Sequence, residues 1–108
     1  SALSSLIQVF EKAKKPIFSG DVTGAMNGGC AIASGFNYYK AGRATGEMVL
    51  QILNGKKPSE LPVRFMTEPE DFDLLFDLDS AKNCGIEIPK KYLDTASMIF
   101  ENGKLIQK

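Results

Sequence analysis

The chain has 108 residues, with 13 basic and 13 acidic side chains, two cysteines and no histidine. That length suits one small domain, residues 1–108, able to bury roughly two-thirds of its unfolded surface. Balanced charge, with no stripe of Lys or Arg among aromatics, argues against a nucleic-acid partner, and no run approaches the ~20 apolar residues that span a bilayer.

Leu3, Leu6, Ile7 and Phe10 follow the i, i+3, i+4, i+7 spacing of a helix with one buried face, predicted over Ala2 to Lys14. Lys12, Lys14 and Lys15 complement its negative dipole end. Pro16 stops it, because the residue ahead of a proline avoids the helical region. The chain thus passes from Ser1 straight into helical periodicity, as expected of a piece cut from a longer protein.

Ile17 and Phe18 make a short strand ending at Ser19-Gly20-Asp21. Gly20, Gly24, Gly28 and Gly29 then mark a loop, with one helical turn around Val22 to Met26. The small apolar run Cys30 to Ala33 reads as a strand buried on both faces. A helix follows over Tyr38 to Asn54, with Ala41, Thr45, Met48, Val49 and Ile52 on one face. Asn37 is its expected N-cap and Gly55 its left-handed terminator. Gly42 and Gly46 would let this helix lie close to a sheet.

Pro62 to Met66 is read as a third strand, since Val63 and Phe65 alternate with Arg64. Phe72 to Asp77 is a further extended run. Asp77 caps a short helix, Leu78 to Cys84, closed by Gly85. Pro89 opens another helix reaching Ala96. Met98 to Phe100 and Lys104 to Ile106 flank Asn102-Gly103, the signature of a hairpin with a type I′ turn. Strands and helices alternate with connections long enough for crossovers, so the expected class is α/β, a partly parallel sheet with flanking helices and a C-terminal hairpin. The expected core is Phe10, Ile17, Phe18, Ile32, Val49, Ile52, Val63 and Phe65.

The chemistry is sparse. Without histidine there is no Ser/His or Cys/His nucleophile system, and two cysteines 54 positions apart make no zinc site. Cys30 and Cys84 leave both readings open, two buried thiols or a disulfide. The Gly20–Gly29 loop fits neither phosphate-binding glycine pattern, and the carboxylates at Glu68, Glu70, Asp71 and Asp73 lack calcium-loop spacing. No catalytic residue, metal site or cofactor is expected.

Several segments carry a resemblance. Lys15-Pro16-Ile17-Phe18, Gly28-Gly29-Cys30-Ala31, Phe36-Asn37-Tyr38-Tyr39, Gly42, Gln51 to Pro58, Ala81 to Pro89 and Ala96 stand in the order of the C-terminal part of a known family. The chain resembles ABC-transporter substrate-binding proteins of the group that includes tryptophan- and tyrosine-binding lipoproteins. That family has Asn near position 77, where this chain has Asp77.

The resemblance implies one lobe of a type I periplasmic-binding-protein, Rossmann-like fold, and an extracytoplasmic solute-binding component of an ABC importer. Its partners would be a small molecule, expected to be an aromatic or other amino acid held in an interlobe cleft, together with permease subunits and a missing N-terminal lobe. Self-association of the separated lobe is also expected, through the apolar hairpin. In open α/β sheets ligands lie beyond the carboxyl ends of strands. The candidate ligand residues are therefore Ser19, Asp21, Thr23, Phe36, Asn37 and Tyr38. Asp21 suits an ammonium, the amides after Asn37 a carboxylate, and Phe36 and Tyr38 an aromatic ring. Asp21 equally suits the cap of a short helix, Asn37 is needed as an N-cap, and one of Tyr38 and Tyr39 is expected in the core. A sugar-binding or sensor member of the same fold, or a flavodoxin-like nucleotide- or flavin-binding domain, is the alternative.

Overall fold

A computed structural model describes residues 2–108. Its elements run α1 (Ala2–Ala13), β1 (Phe18–Ser19), β2 (Ile32–Phe36), α2 (Tyr38–Leu53), β3 (Phe72–Asp77), α3 (Leu78–Asn83), α4 (Lys90–Leu93), β4 (Met98–Glu101) and β5 (Lys104–Gln107), with 3-10 turns at Gly24–Asn27, Pro58–Glu60 and Pro69–Asp71. The strands form one mixed sheet in the order β1-β2-β3-β4-β5. β1 lies parallel to β2, with Phe18 opposite Ile32, and β3 parallel to β4, with Leu75 opposite Met98. β5 returns antiparallel to β4 through a turn in which Asn102 (φ 54°) and Gly103 (φ 73°) are both left-handed, the type I′ geometry that matches the twist of a hairpin. The expected α/β class and terminal hairpin are both present.

The chain divides into two compact units, Ser1–Gly35 with Asp73–Lys108, and Phe36–Phe72. In the first, the core is Val22, Ala25, Cys30, Ala33, Leu75 and Met98, with Leu3, Ile17, Met26 and Leu105 packed against it. Several of these are small, so each fills little volume but allows close backbone approach. Leu3 and Ile7 of α1 press on Gly24 and Gly29, where a β-carbon would stand 2.7 Å from their side chains. Ser97 joins β3 to the entry of β4: its amide donates to the Leu74 carbonyl at 2.9 Å, and its hydroxyl accepts from the Leu74 amide at 2.8 Å.

The second unit is built on α2. Asn37 is its N-cap as expected, its Oδ1 accepting from the Lys40 amide at 2.9 Å, and Gly55 (φ 102°) follows its C-terminal end. Arg64 and Glu47 form an ion pair at 2.9 Å, exposed on both sides and therefore worth no more than about 1 kcal/mol.

Several expectations are corrected. The strand expected at Cys30–Ala33 lies at Ile32–Phe36 and alternates instead of burying both faces: Ala33 and Gly35 are buried, Ser34 and Phe36 exposed. Successive strand side chains point to opposite sides, and only one side of β2 enters the core. Pro62 to Met66 is not a strand. Its alternation is genuine, but among the described residues no strand pairs with it, and Val63 and Phe65 are each 75% exposed. The helix after Pro89 covers only Lys90–Leu93, because the chain must extend by Ser97 to pair with Leu74. Gly42 and Gly46 face open space, and Ala44 is the buried residue of α2. Of the eight expected core residues, Phe18, Val49, Ile52, Val63 and Phe65 are exposed; the core is made instead by Val22, Ala25 and Cys30 between the first two strands, with Ala33 of β2, Leu75 of β3 and Met98 of β4. Cys30 and Cys84 are free thiols, Cys30 buried and Cys84 partly so.

Candidate functional site

Ser19, Asp21 and Thr23 form one connected turn after β1. The Ser19 hydroxyl donates to the Asp21 carbonyl at 2.7 Å and accepts from the Asp21 amide at 3.2 Å. Such a serine side chain closes a local turn that the backbone alone would leave open. Thr23 Oγ1 donates to Asp21 Oδ1 at 3.2 Å, which orients the carboxylate. The carboxylate is exposed, and the 3-10 turn that follows takes Thr23 as its N-cap without a side-chain hydrogen bond. So Asp21 is occupied in holding the turn and does not cap the short helix.

Gly35, near the end of β2, backs this turn. It is buried, and a β-carbon there would lie 3.0 Å from the Gly20 carbonyl oxygen and 3.2 Å from Asp21 Cα. Because β1 and β2 are parallel, Asp21 beyond β1 and Gly35 near the end of β2 lie toward the same end of the sheet. With the strand expected to end at Ala33, Gly35 fell in the turn beyond it; inside the observed β2 it is a strand glycine, which marks close backbone approach.

In the second unit, Phe36 stacks on Phe72, ring centroids 5.0 Å apart with planes at 28°, and stays 47% exposed. Phe72 had no signal in the sequence beyond its place in an alternating run. Asn37 has a structural duty: its side chain caps α2, and its amide donates to the Asp71 carbonyl at 2.8 Å. Lys40 Nζ donates to the Glu70 carbonyl, closing the same corner. Tyr38 and Tyr39 are 64% and 76% exposed. The expectation that one tyrosine faces the core is therefore wrong: α2 buries Ala44, and at 3.6 residues per turn Tyr38 and Tyr39 both stand well round the helix from it.

A cavity of about 590 Å³ opens in the first unit, against α1. Leu3, Ile7, Gly29, Asp77, Asn83 and Phe100 wall it, and it contains none of the six residues nominated from sequence. Asp77 is 1% exposed there and fully engaged, accepting the Gly29 amide at 2.8 Å and the Ser80 amide at 2.9 Å. Beside it, burial first and the Asp77 charge second push the Cys30 thiol above its ordinary pKa. Among the described residues no group of three His, Cys, Asp or Glu could hold a metal ion.

The family model for ABC transporter substrate binding proteins matches residues 1–99. Three solved structures are similar. A conserved domain protein from Vibrio cholerae O1 biovar El Tor is 32% identical, with a TM-score of 0.70 over 88% of this chain and 30% of its own. An ABC domain in complex with L-Trp from Streptococcus pneumoniae is 28% identical, with a TM-score of 0.71 over 93% of this chain and 33% of its own. A ligand-free, open substrate-binding protein with adhesive properties from Clostridium difficile is 31% identical, with a TM-score of 0.56 over 77% of this chain and 27% of its own. The chain thus spans about a third of the length of these structures. No curated protein matches it.

Proposed function

The chain belongs to the ABC transporter substrate-binding protein family, and from that premise we propose that it supplies part of the cleft in which an extracytoplasmic solute-binding protein holds an amino acid for an importer. The observation that carries the ligand class is the similarity to a domain with L-Trp bound. The family is a binding component of transport, so the work assigned here is capture and not catalysis.

Asp21 is the partner for the ligand ammonium. Its carboxylate is exposed yet held by Thr23, so little ordering is required when a cation arrives. Ser19 and Thr23 complete that turn. The opening of α2 at Asn37 offers main-chain amides to the ligand carboxylate, helped by the positive end of a 16-residue helix. Phe36 and Tyr38 give exposed aromatic surface for an aromatic side chain. A cleft buries a small ligand well only when both of its walls are present. The second wall is an N-terminal lobe, and closure of the two would precede docking to permease subunits.

Calorimetry on the intact protein tests this with L-tryptophan, L-tyrosine and a sugar panel. Tight binding of an aromatic amino acid is expected. Asp21→Ala should weaken it by orders of magnitude, because truncating one partner of a desolvated charge pair costs about 2–5 kcal/mol. Binding of a sugar and of no amino acid would sink the ligand class.

A further inference from the structure

We propose that Ser19 and Gly35 act as positioning residues for Asp21, gripping its main chain from two sides so that its carboxylate stands where a ligand cation would meet it. This rests on the reading of Asp21 as the ammonium partner. One side is a tether: the Ser19 hydroxyl holds both the carbonyl and the amide of Asp21. The other is a buttress made of missing atoms. At Gly35 the main chain of β2 comes so near the Gly20–Asp21 peptide that a β-carbon would stand 3.0 Å from an oxygen and 3.2 Å from an α-carbon, both belonging to backbone. Backbone atoms cannot swing aside as the end of a flexible side chain does. Any residue larger than glycine at 35 therefore requires the Gly20–Asp21 peptide to give by a few tenths of an ångström, which moves the Asp21 turn relative to β2. A displaced carboxylate costs binding only for ligands that carry the cation, because geometry matters most for a charge-assisted contact. The neighbouring glycine differs: at Gly20 a β-carbon would meet nothing within 4 Å.

The geometry separates placement from ligand role, and so does the experiment. Amide hydrogen exchange on the intact protein reads the placement. The Asp21 amide should exchange about fivefold faster or more in Gly35→Ala and in Ser19→Ala, the scale of losing one ordinary hydrogen bond, and should be unchanged in Gly20→Ala. Should Gly35→Ala fail to fold, Ser19→Ala carries the same measurement. Unchanged exchange at Asp21 in the folded variants overturns the proposal.

Calorimetry with L-tryptophan and with indole-3-propionate, which lacks the ammonium, reads the ligand role. The preference for L-tryptophan should vanish in Asp21→Asn and shrink in Gly35→Ala and Ser19→Ala, while affinity for indole-3-propionate holds. A preference that survives Asp21→Asn removes the reading of Asp21 itself. One that is lost in Asp21→Asn but intact in the Gly35 and Ser19 variants removes only the positioning.

Discussion

The buried Asp77 carboxylate accepts the amide of Gly29, 48 residues earlier, at 2.8 Å. Its other oxygen accepts the Ser80 amide in the first turn of α3 at 2.9 Å. One side chain at the end of β3 thus joins the glycine loop ahead of β2 to the helix that follows β3. The main chain makes the same connection, the Asp77 amide donating to the Ala31 carbonyl at 3.0 Å.

Asp77→Ala should therefore be among the most damaging single changes in the first unit. It leaves two amides without their acceptor, at about 1–3 kcal/mol for each that stays buried and unpaired. Asp77→Asn keeps one oxygen for the helix cap but turns an NH2 toward the other amide, so its loss should be smaller. Urea midpoints of the two variants check the order. Equal stability of Asp77→Ala and wild type would mean that water replaces both bonds.

Acid should loosen the terminal hairpin through Asp79. Its carboxylate accepts the amides of Gly103 and Asn102, both at 2.9 Å, and these bonds, Gly103 first, hold its pKa below the ordinary 3.8. A pKa lowered by folding stabilises the folded state above the unfolded value, and that contribution is lost as pH falls through the folded one. Wild type should thus exceed Asp79→Asn in stability at pH 7, and the gap should close on acidification below the ordinary carboxylate range. Paired urea titrations at pH 7 and pH 2.5 measure it. A gap of constant size would show that the bonds to the turn do not depend on charge.

The two thiols should differ in reactivity. Cys30 is buried with its pKa raised, by burial and then by Asp77, whereas Cys84 is partly exposed at the end of α3. Thiolate is the nucleophile, and access controls the rate. Iodoacetamide at pH 8 should label Cys84 in the folded protein, and Cys30 only after urea is added. Peptide mass mapping reads the order directly, and early labelling of Cys30 would contradict its burial.

Core substitutions should follow burial and not hydrophobicity. Leu75 is fully buried at the centre of the sheet, so Leu75→Ala should cost about 2–5 kcal/mol. Ile52, on the apolar stripe of α2, is 39% exposed, and Ile52→Ala should cost less than about 1.5 kcal/mol. Denaturant titration of both variants tests the contrast, and comparable losses would place a cover over Ile52 that the described residues do not supply.

Local chemistry was legible wherever one short stretch decides the outcome. The span of α1, the Asn37 and Asp77 caps, the Asn102-Gly103 turn and the alternation of classes that gives α/β all depend on neighbours within a few positions. The buried face expected of α1 does not, and no described residue of that helix is buried, with Leu6 44% exposed. The family resemblance was legible for a related reason, since it lies in the order of short segments. The candidate residues divided along the same line. The Ser19-Asp21-Thr23 turn forms from contacts two residues apart, so its types and spacing were visible.

The core and the support behind Asp21 depend on partners far away in sequence. Val63 and Phe65 alternate like a strand, yet no ladder partner reaches them; Ala33 and Cys30 look minor in sequence but are buried because β2 and its approach lie among Val22, Leu75 and Met98. Gly35 belongs with them. Its meaning lies in how near its main chain comes to Gly20, 15 residues away, where a β-carbon would stand 3.0 Å from the carbonyl oxygen, an approach that only the pairing of β1 with β2 creates. Periodicity and spacing determined which segments could form helices, caps and turns. Which apolar faces found cover, and which glycine had to remain bare, was decided by tertiary packing, because burial is a property of the partner as much as of the residue.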